Sequence, residues 1–161
     1  METLVLGIGN LLLGDEGVGC RCVEELERRY VLPPAVTCVD GGTAGFELLP
    51  LIEDAQTLII IDALKDGRPP GTLVLVEDEA VPRLMLTRTS PHQIGICEVL
   101  ATAQLTGKVP QRLLLFGIEP KSLEVTMGLS PEISQALEKT LDAVVAALSS
   151  MGHQIQLRQT P

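Results

Sequence analysis

The chain has 161 residues, 45% hydrophobic and 20% charged, which suits one domain that folds without disulfide or metal staples and leaves no room for a second. Lysine and arginine number 12 against 21 aspartates and glutamates, and the resulting charge of −9 argues against nucleic acid and anionic membrane as partners. With no tryptophan, one tyrosine and two phenylalanines, the core is aliphatic and stacking platforms for bases or sugars are missing.

The opening residues Met1-Glu2-Thr3-Leu4-Val5-Leu6 carry neither the basic segment nor the cleavage site of a secretory signal, and the apolar runs are far short of a membrane span. Cys20, Cys22, Cys38 and Cys97 follow neither a zinc-type pair spacing nor a disulfide framework. Both features predict a cytoplasmic protein with reduced thiols.

Apolar runs at residues 3–8, 36–39, 57–61, 72–76 and 112–118 predict strands buried on both faces. Between the first two, Val18, Cys22, Leu26 and Tyr30 recur every four residues and predict a helix. A shorter helix is expected over 44–53, with Thr43 as N-cap. The seven residues 65–71 are too few for a helical crossover, so one strand is expected to run antiparallel at an edge. Ser90-Pro91-His92-Gln93 has the order of a capping box opening a helix to Leu105. Ser130-Pro131 opens the last helix, striped by Ile133, Leu137, Leu141, Val144, Val145 and Leu148 and closed by Gly152. The expected fold is a single three-layer α/β domain over residues 1–152: a mostly parallel five-stranded twisted sheet, one antiparallel edge strand, and helices on both faces. Residues 153–161 read as a polar tail with His153 in solvent.

Gly7-Ile8-Gly9 after a strand opens like a dinucleotide fingerprint, but Leu12 stands at the third glycine. Gly9 and Gly14 are spaced as in a phosphate loop, yet Asp15 and Glu16 occupy the places of lysine and serine or threonine. That inverted charge repels a pyrophosphate and attracts a cation. Asp40 and Asp62 end the second and third strands, so parallel strands would gather Asp15, Glu16, Asp40 and Asp62 at one carboxyl edge. His92, at a helix N-terminus that favours neutral imidazole, is placed to reach the same edge. Carboxylates and one imidazole suit Zn, Ni or Mn while leaving positions for substrate or water. Taken singly, each residue also has a local reading: a turn at Asp40, a loop cap at Asp62, a favourable helix-dipole charge at Asp15 or Glu16. A serine nucleophile elbow is absent from the sequence.

Taken together, Gly7-Ile8-Gly9-Asn10, Asp15-Glu16-Gly17-Val18-Gly19, Asp40-Gly41-Gly42-Thr43-Ala44-Gly45, Asp62-Ala63 and His92-Gln93-Ile94-Gly95 resemble the hydrogenase maturation endopeptidases. Phe116-Gly117-Ile118-Glu119-Pro120 resembles that family's last strand and turn. The resemblance implies an aspartic-type protease that removes a short C-terminal extension from the large-subunit precursor of a [NiFe] hydrogenase after nickel insertion. It implies Glu16, Asp62 and His92 as metal ligands for nickel held by the substrate, a site that zinc or another divalent metal also suits. It places Asp40 beside the scissile bond, with Gly41, Gly42 and Thr43 positioning the substrate. Water activation is open between the metal and Asp40, and carbonyl polarisation between the metal and backbone donors near Gly41 and Gly42. A nickel-binding chaperone without catalysis and a dinucleotide-dependent enzyme are the alternative classes.

Overall fold

A computed structural model describes residues 2–87 and 91–159, with side chains described for 2–85 and 95–159. Its sheet has five strands: β1 (Thr3–Ile8), β3 (Val36–Gly42), β4 (Thr57–Ala63), β5 (Leu73–Glu77) and β6 (Arg112–Ile118). They lie in the order β3-β1-β4-β6-β5, the first four parallel and β5 antiparallel to β6. The expected architecture is therefore the one observed, with the antiparallel strand at an edge.

Because successive side chains of a strand point to opposite faces, each Leu/Ile/Val run feeds two cores at once. Val5, Ile59, Ile61, Leu114 and Phe116 face α1 (Val18–Arg29) and α5 (Pro131–Ser150). Leu4, Leu6, Leu58, Ile60, Leu113 and Leu115 face α2 (Leu49–Asp54), α3 (Ala80–Thr87) and α4 (Pro91–Leu105). Burial on both faces explains why these strands read as continuous apolar runs and not as alternating ones. Across the first face, the Arg29 guanidinium donates to both oxygens of Glu138, at 2.6 and 2.7 Å, and ties α1 to α5.

Several elements depart from the sequence reading. The helix expected from residue 44 starts as a single 3-10 turn, Phe46–Leu48, and becomes α2 only at Leu49; neither segment has a side-chain cap, so Thr43 does not serve as one. α3 has no counterpart in the sequence reading; at eight residues it is shorter than the window in which a helical period declares itself. Ser130 precedes α5 without capping it, because its hydroxyl is directed elsewhere. Ser90, the other expected cap, lies outside the described residues. In the stretch read as a polar tail, β7 (Gln156–Leu157) pairs antiparallel with β2 (Tyr30–Val31). His153, expected in solvent, is buried, with Nε2 3.0 Å from the Thr3 hydroxyl.

The glycines that suggested a nucleotide loop have another use. A methyl added at Gly19 would lie 2.1 Å from the Ile61 carbonyl oxygen and 2.4 Å from that of Ile8. One added at Gly7 would lie 2.4 Å from the Gly19 carbonyl oxygen. α1 thus rests directly on the backbones of β1 and β4. Gly19→Ala is expected to force these layers apart and lower unfolding free energy in urea by about 3 kcal/mol. Gly107→Ala, whose methyl meets nothing within 4 Å, should lose only about 1 kcal/mol, from its left-handed backbone.

Candidate active site

Parallel pairing puts the carboxyl ends of β3, β1 and β4 side by side. Gly7 of β1 stands opposite Asp40 on one flank and Ile61 on the other, and Asp62 follows Ile61. Two strand spacings, about 10 Å, separate the Asp40 and Asp62 backbones. β3 and β4 run farther than the apolar runs suggested, so both aspartates lie within strands. Strand alternation sends them to different faces. Asp62 continues the Leu58 and Ile60 row toward the face of α2, α3 and α4, whereas Asp40 continues the Val36 and Cys38 row toward α1.

Glu16 arrives from a 3-10 turn, Gly14–Gly17, immediately beyond β1. The turn folds back over Gly9, where a methyl would lie 1.9 Å from the Glu16 carbonyl oxygen and φ is 145°. Only glycine meets both conditions. Gly9 also donates its N–H to the Gly42 carbonyl at 3.0 Å, joining this loop to the one after Asp40. The Glu16 and Asp62 carboxylates are buried, at 7% and 1% exposure, while Asp40 is exposed.

The start of α4 reaches the same edge, since a methyl on Gly95 would lie 3.7 Å from the Gly45 Cα. His92 falls in the first turn of α4, and its side chain lies outside the described residues. Among the described residues no group of three or more His, Cys, Asp or Glu side chains is arranged to hold a metal ion. The fold therefore brings Glu16, Asp40 and Asp62 to one edge, and α4 approaches the loop after Asp40 where Gly95 meets Gly45.

Asp40 is held by its own loop: the Gly42 N–H donates to Asp40 Oδ1 at 3.0 Å. That donor is committed to the carboxylate, which narrows the backbone groups available to a substrate carbonyl.

Asp15, grouped with Glu16 by sequence, has a separate task. Fully buried, its carboxylate accepts the N–H groups of Lys121 and Ser122 at 2.9 Å and of Ser130 at 2.8 Å, and the Ser130 hydroxyl at 2.9 Å. Burial by itself pushes the Asp15 carboxyl up, but these donors, led by the Ser130 and Ser122 N–H groups, outweigh it and hold the carboxyl below its ordinary value. Backbone bonds reinforce the joint: Gly14 N–H to the Thr126 carbonyl, and Thr126 N–H to that of Leu12, both at 3.0 Å. Glu119 does similar work, accepting the N–H groups of Asp66 at 2.7 Å and Gly67 at 3.2 Å. Sequence reasoning missed both roles because the partners of Asp15 lie 106 to 115 positions away.

Cys20, Cys22, Cys38 and Cys97 form no disulfide. Burial, then the neighbouring Asp40 carboxylate and the charge of Asp62, push the Cys20 thiol up; its Sγ lies 3.6 Å from the Gly9 carbonyl oxygen. Burial pushes Cys22 and Cys38 up to about 12. None has the lowered value of a nucleophilic thiol.

Fold and site together define an open α/β sheet with a carboxylate-bearing edge, and comparison with known proteins gives the class. Residues 20–147 match the hydrogenase maturation protease family. The chain is 46% identical over 153 residues to the hydrogenase 2 maturation protease of Escherichia coli (strain K12), covering 94% of this chain and 93% of that one. It is 45% identical over 145 residues to the hydrogenase expression/formation protein HoxM of Cupriavidus necator, covering 86% and 72% of the two chains. The solved structure of the hydrogenase maturating endopeptidase HybD from E. coli superposes with a TM-score of 0.95 at 45% identity, over 98% of each chain. The chain belongs to the hydrogenase maturation protease family.

Asp15→Asn replaces an acceptor-only group with an amide whose NH2 faces N–H donors, and should cost about 3 kcal/mol in chemical denaturation. Alkylation with iodoacetamide at pH 7.5 should leave Cys20 and Cys22 unmodified in the folded protein, read by peptide mass mapping, with modification appearing only in urea.

Proposed function

We propose that this chain is the endopeptidase that removes the C-terminal extension of a [NiFe] hydrogenase large-subunit precursor after nickel insertion, using the nickel held by that precursor for recognition. The observation that carries the reading is the meeting of Glu16, Asp62 and Asp40 at one carboxyl edge in a chain of this family. Two buried carboxylates fit a divalent first-row metal, and an imidazole completes a donor set suited to nickel, or to zinc at the same place. Glu16, Asp62 and His92 are the residues assigned to hold it. When bound, the substrate's nickel supplies a fixed anchor and a Lewis acid at the cleft.

The remaining chemistry falls to the chain itself. Glu16, in the turn braced over Gly9, and Asp62, near the end of β4, fix where the precursor sits and so convert cleavage into a step between positioned groups. Asp40 stands on the flank of β1 opposite Asp62, exposed to solvent, with Oδ1 held by the Gly42 N–H. Its Oδ2 is the oxygen assigned to take the proton of the attacking water beside the scissile carbonyl. The aspartic-type label rests on this single carboxylate and not on a shared-proton pair. Among the described residues no helix is long and apolar enough to cross a membrane, and the reading places the reaction in the cytoplasm with the precursor.

Intact mass spectrometry of a cognate nickel-loaded precursor is the test. Loss of a C-terminal fragment is expected with the unmodified protein and not with a nickel-free control. Asp40→Asn should still bind the precursor but release the fragment about 100-fold more slowly. Asp62→Asn should lose nickel-dependent binding. An unchanged precursor mass accompanied by binding would make the protein a nickel-binding chaperone.

A further inference from the structure

β3 carries Asp40 and is also the last strand of the sheet, paired among the described residues with β1 alone. The phase of that ladder decides which peptide groups are used. Thr3 donates its N–H to the Ala35 carbonyl and stands opposite Val36, so the peptide groups of Thr37 and Val39 turn toward β1. Those of Cys38 and Asp40 turn outward. Val36, of the same parity, confirms the phase, because its N–H bonds away from the sheet to the Pro33 carbonyl.

Burial along the strands agrees. All six residues of β1 are buried, whereas Thr37, Cys38 and Val39 of β3 are half-buried and Asp40 is exposed. Natural edge strands are commonly guarded by lysine, proline or a covering element. The run Val36-Thr37-Cys38-Val39-Asp40-Gly41-Gly42 has neither lysine nor proline. At the amino end of this edge, Tyr30, Val36, Thr37, Cys38 and Arg158 line a cavity of about 300 Å³.

We infer that the C-terminal segment of the precursor binds as an added strand on the open edge of β3, pairing with the outward peptide groups of Cys38 and Asp40. The inference rests on the function proposed above and specifies how the peptide is held. Strand addition fixes an extended chain through its backbone and leaves specificity to the side chains on alternate positions. Pairing at Asp40 sets a peptide carbonyl next to the Asp40 carboxylate without further rearrangement. Residues 36 to 40 span about 13 Å of strand, so the paired stretch is about four residues long, and its amino-end side chain meets the cavity beside Cys38.

Two measurements test this. In the first, the Asp40→Asn protein, about 100-fold slowed in turnover, is saturated with nickel-loaded precursor and followed by hydrogen–deuterium exchange before cleavage proceeds. Slowed exchange at the amides of residues 38 and 40 is expected, and unchanged exchange at both would overturn strand addition. Protection that appears without precursor and grows with protein concentration would assign the edge to a second copy of this chain, which also overturns it.

In the second, Cys38→Pro deletes the outward N–H and places a ring in the path of an added strand, while the ladder bonds of Thr37 and Val39 to β1 are kept. Cys38→Ala keeps the N–H and reports the part played by the thiol. Cleavage by the proline variant should be at least about tenfold slower than by the alanine variant, the worth of one hydrogen bond, with similar thermal unfolding. Equal rates overturn the inference, and if the proline variant does not fold the exchange experiment decides alone. Failure of the unmodified protein to cleave removes the proposed function and this inference with it; normal cleavage with an unprotected edge removes only the inference.

Discussion

At Gly19, α1 meets the sheet backbone with no side chain between them. The Gly19 position leaves room for neither a methyl nor a shift, with carbonyl oxygens of Ile8 and Ile61 on both sides. This close approach fixes the start of α1 over the ends of β1 and β4. The turn before α1 must then double back across Gly9, and that fold delivers Glu16 to the edge where β3 and β4 end. A backbone approach of this kind tolerates little error, because a close-packed interior transmits any displacement to the neighbouring layer.

The same turn is secured from the other side by Asp15. Adjacent acidic residues have separate duties: Asp15 faces inward to a ring of N–H and O–H donors from the segment 121–130, and Glu16 is the carboxylate proposed for the metal. A carboxylate is suited to the first duty because it has only acceptor sites and can take several donors at once. Since the segment it holds leads into α5, the site loop and the longest helix are mechanically one unit. A site built on strands and helices braced in this way is held more exactly than one carried by free loops.

The edge itself divides into a buried part and an open part. Glu16 and Asp62 are nearly inaccessible, so their carboxylates interact in a setting of reduced dielectric where charge and geometry count strongly. Asp40 stands on the outermost strand, exposed, on the opposite face of the sheet. This division suits a reaction in which one set of groups grips a metal-bearing partner and another meets an extended peptide beside it.

Much of this was legible in the sequence. Strand runs of leucine, isoleucine and valine, the four-residue recurrence from Val18 to Tyr30, and the short 65–71 connection announce a mostly parallel sheet with one antiparallel strand. They do so because hydrophobic period and loop length are properties of neighbouring residues. The positions of Asp40 and Asp62 at strand ends, and of Glu16 before α1, were legible on the same grounds and were made specific by the ordered motifs. Nothing local, however, distinguishes Asp15 from Glu16, marks His153 for the interior beside Thr3, or pairs Gln156 with Val31. Those assignments depend on hydrogen bonds between residues more than a hundred positions apart, and a buried polar group takes whatever partner the packed chain brings to it. The sequence determined the five strands of the sheet, the long helices and the acidic residues gathered at one edge. Only the tertiary structure decided that Asp15 is scaffold, because that depends on burial and donors that exist only after the layers have packed.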